Sequence, residues 1–161
     1  MMRTTTAVRM TATAATDRAH TSFVALLLRP VPAAAAPAAR AAAVVGIVFG
    51  AGMVAVSAVI HLHLWLIGYR HVPLIGPAFL FQSISGLVLA TTLVAFRRLV
   101  IIIAGVMFCA GSVVALLLSA TVGFLGLHDG LSVPWAGWSL ASELVGFFVL
   151  LSVAVFVLLR R

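Results

Sequence analysis

The sequence predicts an all-α fold, a four-transmembrane-helix bundle with both ends on the cytoplasmic side and a disordered N-terminal tail. Three observations carry that reading. Apolar residues make up 64% of the chain and charged residues 8%, whereas a soluble domain needs about a quarter charged to keep its surface hydrated. The apolar residues gather in four runs, each able to cross a hydrocarbon core that takes roughly 20 helical residues. Arginine is the only strong base, and it clusters at alternate ends of those runs.

Residues 1–40 read as a basic tail rich in Ala, Thr and Pro, with Arg3, Arg9, Arg18, Arg29 and Arg40. Its apolar patch, Phe23 to Leu28, is too short to span and meets Arg29-Pro30 where a leader would have to continue, so no cleaved signal is expected. Met10 is an alternative start. The transmembrane domain occupies 41–161. Its first span runs from about 41 to 65 and is followed by the loop Tyr69-Arg70-His71-Val72-Pro73. The second covers about 74–96 and stops at Arg97-Arg98, and the third covers about 99–127. A loop with His128, Asp129 and Pro134 leads to Trp135 and Trp138, and the last span, about 139–159, ends in Arg160-Arg161. All four must be helices, because backbone in lipid has to satisfy its own hydrogen bonds.

Orientation follows from charge. Nine of the ten arginines lie in the tail, at the 97–98 turn or at the C-terminus, and only Arg70 lies on the other side. Positive flanks stay inside, which places both termini in the cytoplasm of a bacterial cell and the chain in its plasma membrane. The two loops with Trp65, Tyr69, Trp135 and Trp138 are then external, where those rings suit the headgroup belt. The net charge of +7 is spread singly or in pairs at helix ends, a pattern of topology and not of a phosphate-binding face, so nucleic acid is not an expected partner. Lipid is, together with other membrane proteins or further copies of the chain. The single Cys109 allows no intrachain disulfide.

Close backbone approach and buried polar contacts hold helices together in lipid. The first span offers Gly46, Gly50, Ser57 and His61 within an arc of about 60°. The third has small residues at every fourth position, Gly111, Ala115, Ser119 and Gly123; the second offers Gln82, Ser85 and Gly86, and the fourth Ser139, Glu143 and Gly146. These stripes read first as helix packing.

Ionisable groups concentrate toward one mouth of the bundle. His61 and Glu143 each fall roughly 6–8 Å beneath the outer tryptophans by helical rise, and Gln82 somewhat deeper. Arg70, His128 and Asp129 lie in the adjoining loops. A lone carboxylate in hydrocarbon must be protonated or paired. His61, His128, Asp129 and Glu143 are ligand types for zinc or copper, with His61, His128 and Glu143 as the candidate set. However, His61 and His63 point about 160° apart on a helix, and no HxxxH or CxxC is present. Haem or quinone at the outer mouth is another reading, and ion transport a third. The plainest is a polar clasp in which Glu143, His61 and Arg70 fix helix order, with no cofactor bound. No catalytic residue is identified: no Ser or Cys occupies an activating motif and no Gly-rich phosphate loop occurs.

The run His61-Leu-His-Leu-Trp65, then Tyr69-Arg70-His71-Val-Pro73, Ile75-Gly76 and Phe79-Leu-Phe-Gln82 resembles a signature of an uncharacterised family of small four-helix integral membrane proteins of actinobacteria. The resemblance implies origin and architecture and brings no activity with it. The functional expectation is a non-enzymatic accessory or scaffolding component of a membrane assembly; the alternative is a small bundle binding a metal, haem or quinone at its outer mouth.

Overall fold

The structure, a computed structural model, describes residues 24–30, 36–123 and 134–159. It is a bundle of four long helices: α1 Pro37–Ile67, α2 Ile75–Phe96, α3 Leu99–Thr121 and α4 Ala136–Leu159. Each is long and apolar enough to cross a membrane. A single 3-10 turn, Tyr69–His71, links α1 to α2. Helix α1 packs on α2 and α4, and α3 packs on α4 and, less extensively, on α2. Among the described residues the backbones of α2 and α4 do not come close, so the two helices stand on one diagonal of the bundle. In its most apolar stretch α1 is 44% buried and α2 only 22%, which makes α1 the hub and α2 the helix most open to lipid.

The helix boundaries follow local chemistry. Pro37 opens α1, where its missing N–H costs nothing, so the first helix begins inside the stretch expected to be tail. At 31 residues it reaches about 46 Å and overruns a hydrocarbon core of about 30 Å. Arg97 closes α2 in a left-handed conformation (φ 47°), its N–H donating to the Leu93 carbonyl, and extended Arg98 starts α3. Two residues thus reverse the chain. Helix α3 stops at Thr121, six residues short of the expected 127, and Gly123 turns the chain away at φ 83°. Helix α4 starts three residues earlier than expected, at Ala136.

Part of the expected tail is ordered against the bundle. Residues 24–27 form one helical turn, Leu26 packs on the core, and the Arg29 carbonyl accepts from the Leu99 N–H at 3.4 Å beside a bridge between Pro30 and Arg98. An apolar patch too short to span is long enough to dock. Residues 1–23 and 31–35 of the tail lie outside the described residues, as do Arg160 and Arg161.

The core is a set of knobs in glycine holes. Leu150 of α4 is fully buried between α1 and α3. A Cβ at Gly50 would stand 2.5 Å from its Cδ2, and one at Gly105 would stand 2.7 Å from its Cδ1. Gly46 is filled in the same way by Val153, and Gly146 lies against Cys109 and Met53. The α1 stripe therefore faces α4. In α3 the contact face is not the expected one. Gly111 is exposed with nothing within 4 Å of where a Cβ would be, Ala115 is half-buried, Ser119 is buried and Gly123 lies beyond the helix. Steps of four residues advance about 40° each around a helix, so a strict fourfold stripe wanders off the interface within three steps. The buried face instead follows alternating three and four, through Ile102, Gly105 and Cys109.

Candidate functional site: a buried carboxylate in a serine cradle

Ser139, Glu143, Gly146 and Leu150 descend one face of α4 at helical spacing, and all are buried. Their shared face looks into the bundle, which draws Glu143 in with it; its exposure is 0%. On α1, Ser57 continues the face of Gly50 and Val54 and is equally buried. On α3, Ser112 lies one turn beyond Cys109 along the chain.

These elements meet at one atom. Glu143 Oε1 accepts from Ser112 Oγ at 2.6 Å, from Ser57 Oγ at 2.7 Å and from Ser139 Oγ at 3.0 Å. The donors come from α3, α1 and α4. A serine in an apolar helix commonly turns its hydroxyl back to its own helix's carbonyls, as Ser83, Ser85 and Ser152 do here. The three cradle serines give that up for the carboxylate. All three contacts lie within the span of about 2.5–3.0 Å usual for O–H···O hydrogen bonds. Glu143 Oε2, by contrast, is buried with no hydrogen-bond partner.

The site is deep. Glu143 is seven residues into α4 and Ser57 is ten residues before the end of α1, or about 10 and 15 Å from those helix ends.

The remaining candidates distribute around this node. His61 does not meet Glu143 directly. Its Nδ1–H donates to the Ser57 carbonyl at 2.9 Å, while the Ser57 hydroxyl serves Glu143, so one serine connects the two. The His61 ring stands edge-on to Phe79 at 5.2 Å. Arg70 lies apart: it is exposed in the 3-10 turn, its Nε donating to His71 Nε2 at 2.9 Å. His63 is exposed and meets Trp135 edge-on at 5.2 Å. Gln82 is half-buried, with its Nε2 buried and unpartnered. His128 and Asp129 lie outside the described residues. Among the described residues no three of His, Cys, Asp and Glu come together. Ser112 is the functional residue that sequence reasoning missed. It stands seven residues from Gly105, on the same face, and reading α3 by threes and fours would have found it.

Outside the bundle, Ala55, Val56, Val59, Ile60, Trp135 and Trp138 line an apolar groove of about 420 Å³ between α1 and α4. No protein family, curated protein or solved structure matches this chain. Fold and site together define a multi-pass helical membrane protein organised around one intramembrane carboxylate.

Proposed function

We propose that this chain is a non-enzymatic accessory or scaffolding component of a larger membrane assembly, seated in a bacterial cytoplasmic membrane with both termini inside. The observation that carries the reading is the Glu143 node. The one glutamate of the chain is spent on joining three helices through Ser57, Ser112 and Ser139, which is the work of a clasp that fixes helix order. Gly52 and Gly111 support a partner: both face outward with nothing within 4 Å of a would-be Cβ, and such bare backbone suits the approach of another helix, from a second copy or a different protein. The orientation rests on Arg97, Arg98 and the tail at one end against Arg70 at the other. Arginines at that end also suit anionic lipid headgroups. The run from His61 to Gln82 assigns the origin, in this reading, to the actinobacteria.

Purification from the native host in mild detergent, with co-purifying proteins identified, tests the proposal. Stoichiometric membrane partners are expected; a lone bundle carrying a chromophore or transition metal would overturn it. The second reading, a small ligand-binding bundle, is favoured by a separate observation: Glu143 Oε2 and Gln82 Nε2 are both buried without partners.

A further inference from the structure

The cradle satisfies one carboxylate oxygen three times over and leaves the other bare. A carboxyl in the interior of a membrane protein has to be neutralised, by a proton or by a counter-charge. The described side chains do not supply one. Arg70 is exposed and donates to His71, and the turn with Arg97 and Arg98 belongs to the opposite ends of the helices. His61 on α1 is one turn outward and holds the Ser57 carbonyl. The other titratable neighbour is Cys109 on α3, an acid itself. Oε2 is left bare in either state, as an acceptor without a donor or, carrying the proton, as a donor without an acceptor.

Gln82 of α2 brings a second unpartnered group to the same half of the bundle. Gly86 packs on Ala58 of α1, next to Ser57, and on Phe108 of α3, and one turn further along each of α2 and α3 leads to Gln82 and Ser112. Ser112 is the closest of the three donors to Glu143. Nitrogen and oxygen of a glutamine amide exchange places by a half-turn of its terminal torsion. In that orientation the buried Nε2 position holds a carbonyl oxygen, which is an acceptor for a cation.

We propose that Glu143, with its serine cradle and the amide of Gln82, is an intramembrane binding site for a sodium ion, with the proton as its competitor. The donors are carboxylate, hydroxyl and amide oxygens, a hard set suited to hard cations. A single negative charge is neutralised by a monovalent ion, whereas a divalent ion would leave the membrane interior positive. The inference deepens the ligand-binding reading and stands apart from whether partner proteins exist. One bundle can carry both the ion and a partner, and co-purification of proteins reports only the latter.

The chain has one glutamate, so incorporating glutamate carrying ¹³C at the side-chain carboxyl labels this site alone. Infrared spectra of the full chain in lipid nanodiscs are recorded at alkaline pH while sodium chloride replaces choline chloride at constant ionic strength. The labelled carboxylate bands are expected to shift saturably with sodium, with a midpoint that rises as pH falls. The Gln82→Leu variant should need about tenfold more sodium, the equivalent of roughly 1.4 kcal/mol. Carboxylate bands indifferent to sodium, or a carboxyl band that persists whatever the salt, overturn the sodium site. A midpoint unchanged in Gln82→Leu removes Gln82 from it.

Discussion

Replacing Gly50 by alanine probes the packing account at its tightest point. The new methyl carbon would lie 2.5 Å from Leu150 Cδ2 and 2.7 Å from its Cγ, where carbon atoms prefer about 3.5–4.0 Å. Roughly 1 Å must be given up. Leu150 cannot step aside freely, because on its other flank a Cβ at Gly105 would already stand 2.7 Å from its Cδ1. The backbone of α1 has to move away from α4, at an overpacking cost of about 1–3 kcal/mol. Alanine's better helix propensity returns about 1 kcal/mol. The matched control is Gly111→Ala, which gains the same propensity and meets nothing within 4 Å. Reversible unfolding in bicelles should therefore rank Gly111→Ala at or above the native chain and Gly50→Ala about 1–3 kcal/mol below that control. Gly50→Ala combined with Leu150→Val should recover part of the loss, since the two residues share one contact. If Gly50→Ala and Gly111→Ala are equally stable, the knob-in-hole description of α1 and α4 is wrong.

The cradle should respond to loss of a single hydroxyl. Ser112→Ala removes one interhelical hydrogen bond, for which about 0.6 and at most about 1.7 kcal/mol is expected in bicelle unfolding, while Ser152→Ala, whose hydroxyl serves its own helix, should be near neutral. Gly76→Ala should disturb the turn between α1 and α2, because its Cβ would lie 2.7 Å from the Arg70 carbonyl oxygen and 2.9 Å from that of Tyr69. Backbone cannot rotate away as a side chain can, so a loss of about 1–3 kcal/mol is expected, seen as a lowered melting temperature. Topology is checked by cysteine labelling in intact cells: Arg70→Cys should react with a membrane-impermeant maleimide and Arg98→Cys should not, with buried Cys109 silent in both. The reverse pattern would invert the orientation.

The helices were legible because hydropathy in lipid is a one-dimensional signal: four apolar runs, each closed by arginine, glycine or proline. Their ends were less so. Pro37 extends α1 into the alanine-rich linker, and Gly123 cuts α3 short, since both boundaries depend on backbone conformation that composition does not report. The burial of Glu143 was readable from its place among Ser139 and Gly146. Its partners were not, because which serine reaches across depends on the rotation of each helix. A fourfold stripe on α3 set that rotation at Gly111, when the contact face in fact runs through Gly105 and Cys109 and presents Ser112. The pairing of His61 with Glu143 failed for a related reason. His61 finds the Ser57 backbone carbonyl one turn away on its own helix, while the Ser57 hydroxyl is what reaches Glu143.

The measurement that bears most directly on the account is a set of carbon–carbon correlations in lipid bilayers by magic-angle-spinning NMR. With the single glutamate labelled at its side-chain carboxyl carbon and all serines labelled at Cβ, every cross-peak from that carboxyl originates at Glu143. Three serine correlations are predicted, from Ser57, Ser112 and Ser139, reporting three different helices at one carboxylate oxygen. A correlation to Ser139 alone, the neighbour one turn away on the same helix, would leave Glu143 joined to nothing else and would contradict the central claim.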